Sequence, residues 1–385
     1  MATKKRKILF VTERRTDYSR LKPIMKAVQK SKKLKLILIV TGMHLLKSFG
    51  GTKKIIESDG FKIDAVLPIF KENDKDDGVA MVKGMGRALM GLADIFAKIK
   101  PDIVFCGFDL GAHLAAAIVG THLNISVAHI EGGERSGTID EIIRHACTKF
   151  SHIHFAGSKQ SAERIIKLGE NPRYVFCVGC PSLDTLHNIK YFPKKNICEK
   201  YNLDPSKKLI IFLQHPVTTE VDRVVQQITN SIEALKKIIK KHNAEVLAIY
   251  SNNDAGGRRI VARLKHSGIK VVPNIIFEDF FRLMKVADVL VGNSSTAIHE
   301  APSFGLPAVN IGTRQQFRER GSNVIDVSEN KEEIIKAVEK ALFDKVFIRK
   351  VKKGKNPYDC GETAKKVVRI IETIKLPPVQ KVITY

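Results

Sequence analysis

The sequence predicts an α/β protein built from two Rossmann-like, doubly wound units that face a central cleft. Three observations predict it. Short apolar runs alternate with amphipathic stretches along the chain, the pattern of parallel strands buried on both faces and covered by helices. That alternation lapses between residues 185 and 205 and then restarts. At 385 residues, with 44% hydrophobic and 27% charged residues, the chain is long enough for two cores and too apolar for disorder.

In the first unit, residues 1–185, the runs Lys7–Val11, Leu34–Thr41, Ile103–Gly107, Ser126–Ile130, His152–Ala156 and Val175–Val178 read as strands, each closed by a polar or glycine-bearing turn. Ser19–Lys30, Lys83–Ile99 and Asp109–Thr121 carry helical spacing. Leu183–Leu203, which contains Tyr191-Phe-Pro-Lys-Lys-Asn, loses the period and is expected to link the units. In the second unit, residues 205–360, strands are expected at Leu209–Gln214, Glu245–Tyr250, Lys270–Val272, Val289–Val291 and Ala308–Ile311. Helices are expected near Val221–His242, Gly257–Ser267, Phe277–Val286 and Ser295–Phe304. Residues 361–385 form a terminal piece whose helix, near Glu362–Ile374, is expected to return to the first unit. Ligands of such sheets sit beyond the carboxyl ends of the strands, so two units in series place a cleft between them.

Composition narrows the partners. A formal net charge of +25 suits an anion: nucleotide phosphate, nucleic acid or an acidic surface. The basic residues are spread over helical faces such as Lys236-Lys-Ile-Ile-Lys-Lys241, aromatics are 7%, and no nucleic-acid motif is present, so no nucleic acid is expected. No run approaches the ~18 apolar residues that span a bilayer. The basic start, Met1 to Lys7, leads into only Ile8-Leu-Phe-Val, too short for a leader, so a cytoplasmic protein without membrane contact is expected. The six cysteines read as reduced core thiols, and Cys177-Val-Gly-Cys180 lacks the second pair or histidines of a zinc site; no metal is expected. Neither a Gly-x-Gly-x-x-Gly after the first strand nor a P-loop occurs, which disfavours a nicotinamide enzyme or a P-loop nucleotidase; no cofactor is expected.

Several strand-end loops carry chemistry. Gly292-Asn-Ser-Ser-Thr-Ala-Ile-His-Glu300 joins a strand to a helix, where unpaired N–H groups and the hydroxyls of Ser294, Ser295 and Thr296 suit a diphosphate; the competing reading is an ordinary N-cap. Glu300, about one and a half turns on, is placed to accept hydrogen bonds from ribose hydroxyls, or is simply an exposed glutamate. Gly312-Thr-Arg-Gln-Gln-Phe-Arg-Glu-Arg320 carries Arg314 and two further arginines, suited to bidentate grip on phosphate or to a surface ion-pair patch. Arg14-Arg15 and His215 stand at comparable strand ends. The first unit supplies acids: Asp109 ends one strand, Glu131 and Glu134 the next, and Asp140 follows. Singly each reads as a cap or loop carboxylate; grouped on adjacent strand ends they make an acid/base centre, with some raised pKa values.

In order along nearly the whole chain stand Phe10-Val-Thr-Glu-Arg-Arg-Thr-Asp-Tyr18, Thr41-Gly-Met-His44, His129-Ile-Glu-Gly-Gly-Glu-Arg-Ser-Gly-Thr-Ile-Asp-Glu-Ile-Ile-Arg-His145, Gln214-His-Pro-Val217, Asn253-Asp-Ala-Gly256, Gly292-Asn-Ser-Ser295 and Asn310-Ile-Gly-Thr-Arg-Gln315. Together they resemble the hydrolysing UDP-N-acetylglucosamine 2-epimerases of sialic acid biosynthesis. The resemblance implies the two-domain fold of B-type glycosyltransferases, a UDP-sugar in the cleft, a homodimer, and conversion of UDP-N-acetylglucosamine and water to N-acetylmannosamine and UDP without metal or nicotinamide. By matched position it implies Asp109, Glu131 and Asp140 as acid/base carboxylates. Arg15, His215, Ser294, Ser295, Glu300 and Arg314 correspond to nucleotide-contacting positions, His44 and His145 line the site, and Glu134, Asn253 and Gly292 are also expected to bind the substrate.

The sequence departs from the family in one stretch. The family's Gly-Asp-Arg, followed by an acid, here reads Phe108-Asp109-Leu110-Gly111-Ala112. The acid is kept and its polar neighbours are lost, which makes a less polar sugar an alternative: a UDP- or GDP-linked 2,4-diacetamido-trideoxyhexose of legionaminic-type pathways. A B-type glycosyltransferase and a non-catalytic nucleotide-sugar sensor are the rival classes; the three acids weigh against the sensor.

Overall fold

The structure is a computed structural model that describes residues 4–385. Its first sheet contains β1 (Arg6–Thr12), β2 (Leu34–Thr41), β3 (Ala65–Leu67), β4 (Ile103–Gly107), β5 (Ser126–Ile130), β6 (Ile153–Ala156) and β7 (Val175–Cys177), in spatial order β3-β2-β1-β4-β5-β6-β7. The second contains β8 (Leu209–Leu213), β9 (Glu245–Ile249), β10 (Lys270–Val272), β11 (Val289–Gly292), β12 (Ala308–Ile311) and β13 (Val324–Val327), in order β10-β9-β8-β11-β12-β13. All pairings are parallel. Each sheet reverses its strand order once, between β1 and β4 and between β8 and β11, and these switch points are where loops splay apart and leave a crevice.

The central strands are wholly buried apolar runs because helices cover both faces, which is why their sequence lacks alternation. On one face of the first sheet, Ile8, Phe10, Phe105 and Phe155 pack against Leu21, Ile24 and Met25 of the helix Arg15–Lys30. The same core takes in Val367 and Ile371 of the helix Thr363–Thr373. The other face packs Leu9, Val11 and Val104 on Ala88, Leu92 and Phe96 of the helix Gly78–Ile99.

Differences from the expected elements have local causes. β3 and β13 were not expected: they are short edge strands of half-exposed residues, with too few positions to show a period. Leu183–Leu203 is not a periodless link; it holds two short helices, Leu183–Asn188 and Lys194–Lys200, separated by Pro193 and its neighbours. The helix expected at Ser295–Phe304 is one α-turn, Thr296–His299, followed by a 3₁₀ turn, Ala301–Phe304, with Pro302 removing a backbone donor between them. Gly292, at φ +131°, ends β11 so close to β8 that a Cβ would lie 2.1 Å from the Leu213 carbonyl oxygen. It lets the two strands meet at their switch point.

Candidate active site

Both switch points open into one space. The carboxyl end of β1 delivers Arg14 and Arg15, that of β4 Phe108 and Asp109, and that of β5 Glu131 and Glu134. From the second sheet, β8 delivers His215, β11 delivers Ser294 and Ser295, and the loop after β12 delivers Arg314 and Arg318. All of these line a cavity of about 740 Å³. A second hollow of about 920 Å³ shares Arg15, Thr16, Arg20 and His215 with it and is walled by Leu213, Ile249, Ile275, Ile276, Phe277 and Phe280. The result is one cleft with a polar, charged end and an apolar end.

The cleft's walls are tied together across the sheets. Arg14 forks onto Asp254, at 2.5 and 3.1 Å. Arg15 donates to the Tyr250 carbonyl at 3.1 Å and to that of Pro273. Arg314 reaches Asp140 at 3.3 Å, and the Gly137 N–H donates to the Arg314 carbonyl at 3.2 Å.

Two acids sit on strained backbone. Phe108, just before Asp109, has φ +64°, and Glu131 has φ +57°, the left-handed region that bulky residues rarely enter. Such strain clusters where side chains must be aimed. Asp109 does not cap the helix after it; it pairs at 2.5 Å with Arg144, whose side chain is only 1% exposed. Burial pushes the Asp109 carboxyl up, but Arg144, Arg318 and Arg314 together more than offset it and hold it below its ordinary value. Asp140 goes the other way: burial, reinforced by the Asp109 charge, raises it to about 6. Neighbouring carboxylates pushed apart in this way can exist in different protonation states near neutrality. Glu134 is held low by His299 and Arg318 against the effect of burial.

His215 is kept neutral by burial and by Arg314, Arg15 and Arg14. Its Nδ1 accepts from the Asn252 N–H at 3.1 Å, which leaves Nε2–H as a donor toward the cleft. His44 lines the apolar end, held between Thr12 and Thr52 at 2.9 and 2.7 Å, and burial lowers it to about 4. Glu300 faces the same end, and its Oε2 is buried without a partner.

Four of the sequence-expected residues stand off the cleft wall. His145 bonds Glu141 on its own helix at 3.0 Å and is on neither cleft wall; the residue before it, Arg144, is. A helix turns 100° per residue, so a one-residue shift moves a side chain to another face. Asn253 lines a separate hollow with Leu46, Phe49, Asp76 and Arg258, while Asn252 lines the cleft. Gly292 contributes strand spacing and no wall. Asp140 stands one guanidinium back from the wall, behind Arg314. Cys177 and Cys180 do not share a site: Cys177 Sγ lies 4.0 Å from Cys360 Sγ, and Cys180 faces Glu131.

The sequence reading missed Arg20. From the helix Arg15–Lys30 it donates to Glu131 at 2.5 Å and to His299 Nδ1 at 2.6 Å, and lies 3.4 Å from Glu300. Among the described residues, Glu131, Cys180 and His299 form the one group with ligand atoms close enough for a metal ion. Arg20 already binds two of the three, so a cation is built into the protein at that point.

A family model described as UDP-N-acetylglucosamine 2-epimerase matches residues 26–372. The chain belongs to that family. It is 36% identical over 375 residues to a hydrolysing UDP-N,N'-diacetylbacillosamine 2-epimerase of Legionella pneumophila, covering 96% of this chain and 97% of the relative. It is 32% identical to a UDP-N-acetylglucosamine 2-epimerase of Neisseria meningitidis, covering 97% and 96%. The fold also matches the crystal structure of UDP-GlcNAc 2-epimerase from Neisseria meningitidis bound to UDP-GlcNAc, with TM-score 0.81 at 20% identity over 95% of this chain and 99% of that one. The two-domain B-type glycosyltransferase architecture expected from the family motifs is therefore the one observed. Among the described residues, no helix is long and apolar enough to cross a membrane.

Proposed function

We propose that the chain is a hydrolysing 2-epimerase of a UDP-linked 2-acetamido sugar, releasing the free 2-epimeric sugar and UDP. The observation that carries the proposal is the single cleft in which acids from the first sheet face His215, Ser294, Ser295 and Arg314 from the second. The hydrolysing course is supported by the Ile130-Glu-Gly-Gly-Glu-Arg-Ser-Gly-Thr-Ile-Asp140 loop and by the Legionella pneumophila relative.

The nucleotide would lie with its base against Phe277, Phe280 and Ile276 and its ribose at the free oxygen of Glu300. The diphosphate would meet Ser294, Ser295, Arg15 and Arg314. The helix after Ser295 is a single turn, so the hydroxyls and arginines carry this contact more than a helix dipole does. The hydrogen on C2 is not next to a carbonyl, so C1–O cleavage must lead. Charge that develops on the diphosphate is stabilised by these fixed donors. A carboxylate then removes the C2 proton to give a glycal, and water adds to it with protonation of C2 from the opposite face.

Asp140, raised to about 6 and covered by Arg314 at 3.3 Å until that guanidinium turns to the diphosphate, is the base whose ionisation changes near working pH, and Asp109 and Glu131, on the cleft wall, serve the other face. A base must enter ionised, so kcat/KM should rise through about pH 6 and level off above it. Asp140→Asn should lack both the rise and most of the rate. A profile that falls through the same region would make Asp140 the acid instead.

A second reading of the sugar is favoured by its wall. Met43, Phe108 and Leu110 line the polar end, Leu110 at the place of the family's arginine, and these apolar side chains suit an acetamido group at C4 and a methyl group at C6. The Legionella pneumophila relative is named for such a sugar. Turnover in deuterated water of UDP-N-acetylglucosamine beside UDP-N,N'-diacetylbacillosamine tests both points. Free sugar carrying deuterium at C2 is expected, with the faster substrate identifying the sugar. A product still joined to UDP, or one without deuterium, would sink the reading.

A further inference from the structure

After β7 the chain turns through Cys180-Pro-Ser182, where both Cys180 and Ser182 are fully buried. The Cys180 thiol donates to Glu131 Oε1 at 2.9 Å, and the Ser182 hydroxyl donates to Glu300 Oε1 at 2.8 Å. The two side chains lie 3.0 Å apart. On the opposite side, Arg20 donates to Glu131 Oε2 and lies 3.4 Å from Glu300 Oε1. Arg20, Glu131, Cys180, Ser182 and Glu300 thus close a ring that joins a carboxylate of the first sheet to one of the second.

Each of Cys180 and Ser182 has a single hydrogen, and a carboxylate can only accept. With both glutamates ionised, the two hydrogens point outward to them and the Cys180–Ser182 contact fixes spacing alone. Burial and the Glu131 charge push the Cys180 thiol well above its ordinary value, so it stays protonated as a donor. The terminal torsion of a glutamate is broad. Holding Glu131 at both oxygens, on a backbone at φ +57°, sets the plane it turns to the sugar. Holding Glu300 at Oε1 leaves its buried Oε2 without a partner, on a residue that lines the apolar end. Neither Cys180 nor Ser182 is on the cleft wall.

We infer that Cys180 and Ser182 are positioning residues with separate duties: Cys180 aims Glu131 for proton transfer, and Ser182 aims Glu300 at the nucleotide. The inference rests on the epimerase reading above. It predicts a division that a merely structural role would not give. Cys180→Ala should lower kcat by about 10-fold or more, since a small misplacement of an acid/base group is felt in the rate, and leave KM within about twofold. Cys180→Ser, which keeps a donor, should recover most of that loss. Ser182→Ala should raise KM, and weaken UDP binding measured by calorimetry, by about 10-fold, the worth of one hydrogen bond to a charged group, with kcat little changed.

A Cys180→Ala enzyme with normal kcat, a Cys180→Ser enzyme as slow as the alanine variant, or two alanine variants that change the same parameter would each overturn the assignment. If Cys180→Ala does not fold, the serine variant decides: kcat near wild type supports the donor role, and a 10-fold loss refutes it. Wild-type enzyme that yields no deuterated free sugar would instead refute the epimerase reading, so the two failures are told apart.

Discussion

Asp109→Asn is expected to lower turnover by about 100-fold or more, the usual cost of losing a general acid/base. The substitution keeps the side chain's shape and one acceptor for Arg144, so the protein should fold and still bind UDP within a few fold of wild type. What it removes is the charge and the ability to exchange a proton. A second effect follows from the coupling of the two aspartates. Asp140 is raised first by burial and then by the Asp109 charge. Without that charge, the inflection of kcat/KM near pH 6 should move to lower pH in whatever activity remains. Steady-state rates at several pH values, with UDP binding by calorimetry, check both. Near-normal turnover would remove Asp109 from the acid/base set, and an unmoved inflection would mean that the two carboxyl groups do not sense each other.

The parts of the molecule that were readable from sequence share a physical property: each leaves a local mark. Strands such as β4 and β8, buried on both faces, are continuous apolar runs. The loops at their carboxyl ends stand out as polar breaks, which is why Asp109, Glu131, His215 and Ser294 could be named. β3 and β13 left no mark because an edge strand of three or four half-exposed residues has no period to read. At Asn253 and His145 it is the preceding residue, Asn252 or Arg144, that lines the cleft. Sequence places a loop at the cleft but does not say which of two neighbours turns inward; in the fold Asn252 bonds Asp254 at 2.6 Å on the cleft side, and the helical rotation after Asp140 turns Arg144 inward. Arg20 was hidden for another reason. In a chain with 65 lysines and arginines, a basic residue on an amphipathic helix looks like one more solvated charge, and only the fold shows this one buried between two carboxylates.

That burial gives Arg20 the largest expected effect on stability. Arg20 is 7% exposed, and its guanidinium stands between Glu131 of the first sheet and Glu300 of the second, with His299 as a third partner. Arg20→Met would fill much of the same volume while leaving two buried carboxylates with no guanidinium between them. Removing one partner of a buried ion pair costs about 3–5 kcal/mol, because the remaining charge has lost both water and counter-ion. Against a total stability of about 5–15 kcal/mol, that is enough to lower the urea midpoint markedly. Activity should fall with it, since Glu131 loses the donor at Oε2 that fixes its plane. Arg20→Lys separates the two consequences: a single ammonium restores charge but cannot fork onto Glu131 and His299 together, so it should recover stability more than turnover. An unchanged midpoint in Arg20→Met would mean that the guanidinium does not bridge the two carboxylates in solution. The cleft would then be held by its other cross-sheet pairs, among them Arg14–Asp254, Arg314–Asp140, Arg318–Glu134 and Lys22–Glu278.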